Sequence, residues 1–312
     1  MSMLVVGSLN IDLVAKVAAF PKEGETVMGT SMERISGGKG ANQAVACGKL
    51  GAKTTILGAV GQDEAAAILK ESLANASVIT EKLLVVENAF SGTALICVTE
   101  QGENNIVVIP GANQKMDIGY LQANDDAFCS CSALLLQMEI PFACTLYAAK
   151  RANELKKTVL LNLAPVPDYD VQNIFPYVDY LSVNESELEK ISNRPADTIE
   201  SISAAAGALL RKGVRNVLVT LGHRGAFLKN QHEEILVPPP EVTVKDTTAA
   251  GDTFNAAFLV KRVAGATCRQ AMEFANCSAA LAVSKAGAQS SIPTWREAEA
   301  LYKDSFFLKG DE

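Results

Sequence analysis

Asp246-Thr247-Thr248-Ala249-Ala250-Gly251-Asp252 runs without a break into Thr253-Phe254-Asn255-Ala256-Ala257-Phe258-Leu259-Val260. The first seven residues are small and flexible. The next eight have the spacing of an amphipathic helix that opens at Asp252. A helix N-terminus offers unpaired N–H groups and the positive end of a dipole, so it seats anions. Ala249, Ala250 and Gly251 carry almost no side chain and would let a phosphate oxygen reach their backbone. Asp252 is the exception: a carboxylate repels phosphate, yet it is well placed to take a proton from a nucleophile attacking one. The same residue also reads as an ordinary helix cap, and the segment alone does not choose.

The surrounding pattern sets the fold. Strand-like runs at Thr54–Val60, Ala133–Met138, Thr158–Leu163, Val178–Val183 and Val214–Leu221 alternate with helix-like runs at Asp63–Ala74, Phe142–Lys156, Thr198–Lys212 and Cys268–Lys285. That alternation predicts βαβ units: an α/β fold with a doubly wound, mostly parallel sheet and helices on both faces. Pro238-Pro239-Pro240 is a local connector, and no linker divides the 312 residues, so a single domain over 1–312 is expected. Two β-rich stretches interrupt the pattern. Leu13–Val17 and Thr26–Met28 flank the turn Pro21–Gly24, and Ser91–Thr99 with Asn105–Pro110 reads as a hairpin around Gln101-Gly102-Glu103.

Composition excludes several classes. A net charge of −7 with no basic run disfavours a nucleic-acid surface. The N-terminus lacks a basic n-region, and no apolar run reaches the roughly 18 residues a membrane span needs. Seven scattered cysteines suit reduced thiols in a cytosol rather than a disulfide framework. Cys129 and Cys131 find no partners for a zinc site in His223 and His232, the two histidines.

Four further motifs carry chemistry. Leu4-Val5-Val6-Gly7 reads as a buried strand that delivers Asn10 and Asp12, on one side of an extended segment, at its C-terminal end, where open α/β sheets bind ligands; turn roles for both are the alternative. Gly37-Gly38-Lys39-Gly40-Ala41-Asn42-Gln43 fails as a Walker A loop, since Gly40 stands where Ser or Thr is required. It opens a helix from Ala41 to Leu50 that Gly51 stops. Asn184-Glu185-Ser186-Glu187 follows a strand and fits a capping box as well as a metal-phosphate site. Thr220-Leu221-Gly222-His223-Arg224-Gly225 is a glycine-bounded turn between strands that suits a flat base against backbone.

Together with the run Asp246–Asn255, the last three of these motifs resemble the ribokinase-like family of carbohydrate kinases, the PfkB group, over nearly the whole chain. The resemblance implies transfer of the γ-phosphoryl of MgATP to a sugar primary hydroxyl, O5 of D-ribose, with Asp252 as base and the backbone of Ala249, Ala250, Gly251 and Asp252 as anion hole. It implies sugar contacts from Asn10, Asp12, Gly38, Lys39, Gly40, Asn42 and Glu139, with Asn42 favoured over Lys39, which alone also reads as a solvated turn lysine. Nucleotide contacts fall to Asn184, Glu187, Thr220, Gly222, Gly225, Gly251 and Asn276. Glu187 serves Mg²⁺ through water, and Asn276 stands where relatives often carry His. A K⁺ beside the anion hole is implied at Asp246, Thr248, Ala282, Lys285, Gly287 and Ser291, although the last stretch also reads as an ordinary loop. The four β-rich strands, at about 13–35 and 91–110, become a lid over the sugar that pairs two copies into a homodimer. Deoxyribose, fructose, a ketodeoxy sugar acid, a nucleoside, or a silent binding relative are the rival readings.

Overall fold

The computed structural model describes residues 1–99 and 101–306, so position 100 and the last residues of the expected 1–312 domain lie outside the described residues. Among these, nine strands build the main sheet. From one edge they are Glu234–Val237, Ala226–Lys229, Asn216–Thr220, Tyr180–Asn184, Thr158–Asn162, Ala133–Leu136, Ser2–Val6, Lys53–Leu57 and Val78–Ile79. The two at the first edge pair antiparallel and the others pair parallel.

Side-chain alternation along these strands divides the interior into two layers. Met3, Val5, Leu135, Leu160 and Leu218 point to the face covered by helices Lys39–Lys49, Glu64–Asn75, Ala250–Val263, Cys268–Val283 and Trp295–Phe306. Leu4, Val6, Leu134, Leu136, Val159, Leu161 and Val217 point to the other, covered by Phe142–Glu154, Glu185–Ser192, Ile199–Arg211 and shorter helices. A strand buried on both faces must be apolar at every position, and Ala133-Leu134-Leu135-Leu136 is.

The chain leaves Ser2–Val6 toward Lys53–Leu57 on one side and later returns to Ala133–Leu136 on the other. The strand order therefore reverses between Ser2–Val6 and Ala133–Leu136, and open α/β sheets bind ligands at such a switch point, beyond the strand C-termini. Asn10 and Glu139 follow these two strands at that end, and the Gly37–Gly40 turn, which follows Gly29–Gly37, packs there against Gly7 and Ser8.

The second sheet has the order Gly29–Gly37, Asn10–Val17, Gly92–Thr99, Asn104–Ile109. Three expectations need correction. The partner of Asn10–Val17 is Gly29–Gly37 rather than Thr26–Met28; residues 26–28 join no strand among the described residues and Met28 is 86% exposed. The run Thr54–Val60 is two strands: Gly58 breaks it, Lys53–Leu57 stays in the main sheet, and Ala59–Gly61 pairs with Leu84–Val86. The helix expected to open at Asp252 opens at Ala250, with Ala249 before it in the left-handed region (φ 60°).

Candidate active site

Asp252 is 7% exposed and lies in the first turn of helix Ala250–Val263. It does not cap that helix, because the cap position is Ala249, which makes no side-chain cap bond. Its carboxylate is instead gripped from the neighbouring helix Lys39–Lys49. Asn42 Nδ2 donates to Oδ2 at 3.0 Å and Gln43 Nε2 donates to Oδ1 at 3.0 Å. The cap reading fails on geometry. In the same turn Ala250 N–H donates to Thr247 O at 3.3 Å, so of the four amides expected to form an anion hole one is engaged, and those of Gly251 and Asp252 keep the orphan character of a helix start. A Cβ built on Gly251 would meet no atom within 4 Å, so protein packing does not demand glycine there.

The residues expected to meet a sugar gather around this carboxylate. Asn10 is buried, and its Oδ1 accepts from Asn113 Nδ2 at 2.8 Å. The Asn113 amide is itself locked to Leu9 N and O, so the Asn10 amide is held with its NH₂ free. Asp12 lies against Gly37, where a Cβ would sit 2.2 Å from Asp12 Oδ2. Its carboxyl is pushed up to about 7 by burial first, then by the charges of Glu139 and Asp252. Glu139 Oε2 accepts from Ser8 Oγ and from Lys39 N at 3.1 Å, and Ser8 Oγ accepts from Gly40 N at 3.3 Å. Gly40 is required by close approach: a Cβ would fall 2.5 Å from Gly7 C and Ser8 N. Gly38, at φ 87°, makes the turn into the helix. Burial lowers the Lys39 ammonium, but Asp252, Glu139 and Glu187 outweigh it and hold its pKa above the usual lysine value.

Next to Gly251 a cavity of about 1060 Å³ opens, lined by Asn184, Thr220, Gly222, Gly225, Gly251 and Asn276 among others. The strand–turn–strand reading holds, with Asn216–Thr220 antiparallel to Ala226–Lys229. Gly225 (φ 91°) packs where a Cβ would come within 2.0 Å of Val237 O. Asn276 lines the cavity with its Nδ2 spent on Val237 O at 2.9 Å and Pro238 O at 3.3 Å. Asn184 and Glu187 form the capping box, each side chain accepting from the other's backbone N–H at 2.8 Å. Burial raises the Glu187 carboxyl; the Asn184 N–H and Lys39 oppose that, and Asp252 adds to it. No group of three or more His, Cys, Asp or Glu that could hold a metal is found among the described residues. A divalent ion here would depend mainly on phosphate oxygens and water.

Asp246 ties two loops together. Oδ1 accepts from Thr248 N and Oγ1 at 2.9 and 2.6 Å, and Oδ2 accepts from Gly287 N at 2.9 Å. Burial raises the carboxyl, and these three bonds outweigh it and hold it below the usual range. Ala282 ends in the same region, where Val283 O accepts from Lys245 N and Asp246 N. Ser291 is buried on Ala288 O, while the Lys285 ammonium turns away to Glu297.

The pfkB family carbohydrate kinase pattern matches residues 2–295. The chain belongs to this family. A ribokinase of Schizosaccharomyces pombe is 37% identical over 319 residues, 99% of this chain and 98% of that protein. A deoxyribokinase of Salmonella typhi is 34% identical over 294 residues, covering 94% and 96%. The structure of Arabidopsis thaliana ribokinase complexed with ribose and ATP superposes with a TM-score of 0.91 at 33% identity, covering 97% of this chain and 98% of that one. The protein is thus a phosphotransferase acting on an alcohol group. Asn113, Gln43 and Ser8 support site residues but were missed as site residues. Gln43 had a visible signal in its place in the Gly-Gly-Lys-Gly-Ala-Asn-Gln block, and Asn113 had none.

Proposed function

We propose that this kinase transfers the γ-phosphoryl of MgATP to O5 of D-ribose, giving ribose 5-phosphate. The observation that carries the reading is Asp252, a buried carboxylate at a helix start with sugar-suited groups on one side and the Gly251 cavity on the other. Asp252 takes the proton of the primary hydroxyl, that oxygen bonds the γ-phosphorus, and the bond to the ADP oxygen breaks. The Gly251 and Asp252 amides and Lys39 offset the charge that develops, since positioning and electrostatics supply most of such a rate enhancement. Asn184 and Glu187 serve the phosphates and the Mg²⁺ that accompanies them through water, and Thr220, Gly222, Gly225 and Asn276 line the nucleotide's seat. The relatives named above support ribose and ATP.

Asn10, Asp12, Gly38, Asn42 and Glu139 offer uncharged and carboxylate partners to secondary hydroxyls, with Lys39 as the single cation, which disfavours phosphosugars and sugar acids. Similarity to a deoxyribokinase makes 2-deoxyribose the second reading. A site that bonds a hydroxyl rejects the analogue lacking it, so ribose should exceed deoxyribose and fructose in kcat/KM in an ADP-release assay. Asp12→Ala should narrow the first gap. Better turnover of deoxyribose or fructose would overturn ribose as the substrate and leave the kinase intact. Asp252→Asn should cost roughly 10²–10⁴-fold in turnover with ATP binding retained.

Three further parts complete the proposal. Backbone carbonyls of the two loops that Asp246 joins, at Asp246, Thr248, Ala282, Lys285, Gly287 and Ser291, hold a K⁺ beside the anion hole. The second sheet is a lid through which two copies pair, on a single domain over 1–312. The working compartment is the cytoplasm, which suits seven unpaired thiols; no helix among the described residues is long and apolar enough to cross a membrane.

A further inference from the structure

Asp252 is an acceptor only, so every group bonded to it must present an N–H or O–H. Gln43 does so from full burial, at 0% exposed. Its Nε2 donates to Asp252 Oδ1 at 3.0 Å and also to Asn162 Oδ1 at 3.2 Å. Its Oε1 accepts from Gln137 Nε2 at 2.6 Å. Asn162 in turn donates Nδ2 to Ser182 O. Turning the Gln43 amide over would set its oxygen against both Asp252 and Asn162. The direction of this chain of amides is therefore fixed by the carboxylate at its end.

The chain of amides is not arranged for stability. Gln137 Oε1, at its far end, is buried and has no protein hydrogen-bond partner among the described residues. An unpaired buried carbonyl is costly, and a native structure keeps one where something else requires it. Here the requirement is that Gln137 point its NH₂ toward Gln43 so that Gln43 can point its own toward Asp252.

We propose that Gln43 is a positioning residue for the phosphoryl transfer, holding the Asp252 carboxylate so that its Oδ2 side faces Asn42 and the acceptor. This inference rests on the reading of Asp252 as the base. Gln43 touches no substrate, being fully buried between the two helices. A neutral carboxamide suits this role. It fixes orientation through a hydrogen bond without the full counter-charge of Lys or Arg, which would weaken a base by stabilising its ionised form.

The test uses the full-length kinase with Gln43→Met, which keeps length and apolar bulk and removes the donor. Turnover should fall about 10- to 100-fold while KM for sugar and for ATP stay within about threefold, because only the transition state needs the aligned carboxylate. A kcat within about twofold of wild type, or a raised KM at unchanged kcat, would overturn the proposal. Asp252→Asn measured alongside separates the two ideas: if that variant retains turnover, the base reading fails and takes this one with it. If Gln43→Met gives no cooperative melt, Gln43→Asn decides, since it keeps a buried amide and withdraws the donor from Asp252 by one methylene. Lower kcat at unchanged KM then supports the proposal, and wild-type kcat overturns it.

Discussion

Gly251 separates what the fold needs from what the reaction needs. A Cβ there meets nothing, and alanine is the better helix former by up to about 1 kcal/mol. Gly251→Ala should therefore leave the melting temperature unchanged or raise it, while lowering kcat because the methyl group enters the space expected for phosphate. A calorimetric melt beside an ADP-release rate checks both halves. Asp12 gives a pH signature at the same scale. Its carboxyl binds its proton more tightly folded than unfolded, so its contribution to stability is present at low pH and is lost as pH rises through about 7. Binding is expected to run the other way, since the proposed sugar contact needs an ionised carboxylate able to accept from two hydroxyls. KM for sugar should rise as pH falls below about 7 with KM for ATP flat, and Asp12→Asn should abolish the trend. Much of this residue arrangement was legible, because Asp252 stands out among small residues and Asn42 sits in a glycine block. Gln43, in the same block, sits beside Asn42 on a helix where adjacent residues normally face apart; the two reach Asp252 by donating to different oxygens of its carboxylate.

Elements were legible where the apolar period was long. Helices at 64–75, 142–154, 199–211 and 268–283 fall within a few residues of expectation. The run at 54–60 misled because a continuous apolar string does not say when a strand changes partners, and Gly58 was the sole hint. Asn113 was invisible: it lies on a short turn 103 residues from Asn10, and no local pattern encodes such a contact. Asn113→Ala leaves Asn10 Oδ1 without its donor, so KM for sugar should rise about tenfold, the worth of one buried hydrogen bond, with KM for ATP unchanged. Steady-state kinetics in both substrates checks this. For the two loops that Asp246 joins, activity should be higher in K⁺ than in a large organic cation at equal ionic strength; equal rates would dismiss the cation.

At the scale of the molecule, the outer strand of the second sheet, Asn104–Ile109, is exposed along its length, with Ile106, Val107 and Val108 52%, 59% and 49% exposed. A long apolar edge strand invites pairing. Light scattering should give twice the chain mass, and Val107→Lys should shift it toward the monomer. The alternation of strands and helices made the layered body readable in advance, whereas one strand of the second sheet was misplaced because residues 26–28 have strand-like composition without a strand partner. One strand belongs to both parts. Asn10–Val17 begins at a residue proposed to contact the sugar and runs the length of the second sheet, about 23 Å at the usual rise of a strand. A rigid tilt of about ten degrees at Asn10 would swing the Val17 end by about 4 Å on that geometry, so the angle at which the strand leaves Asn10 sets the reach of the whole second sheet.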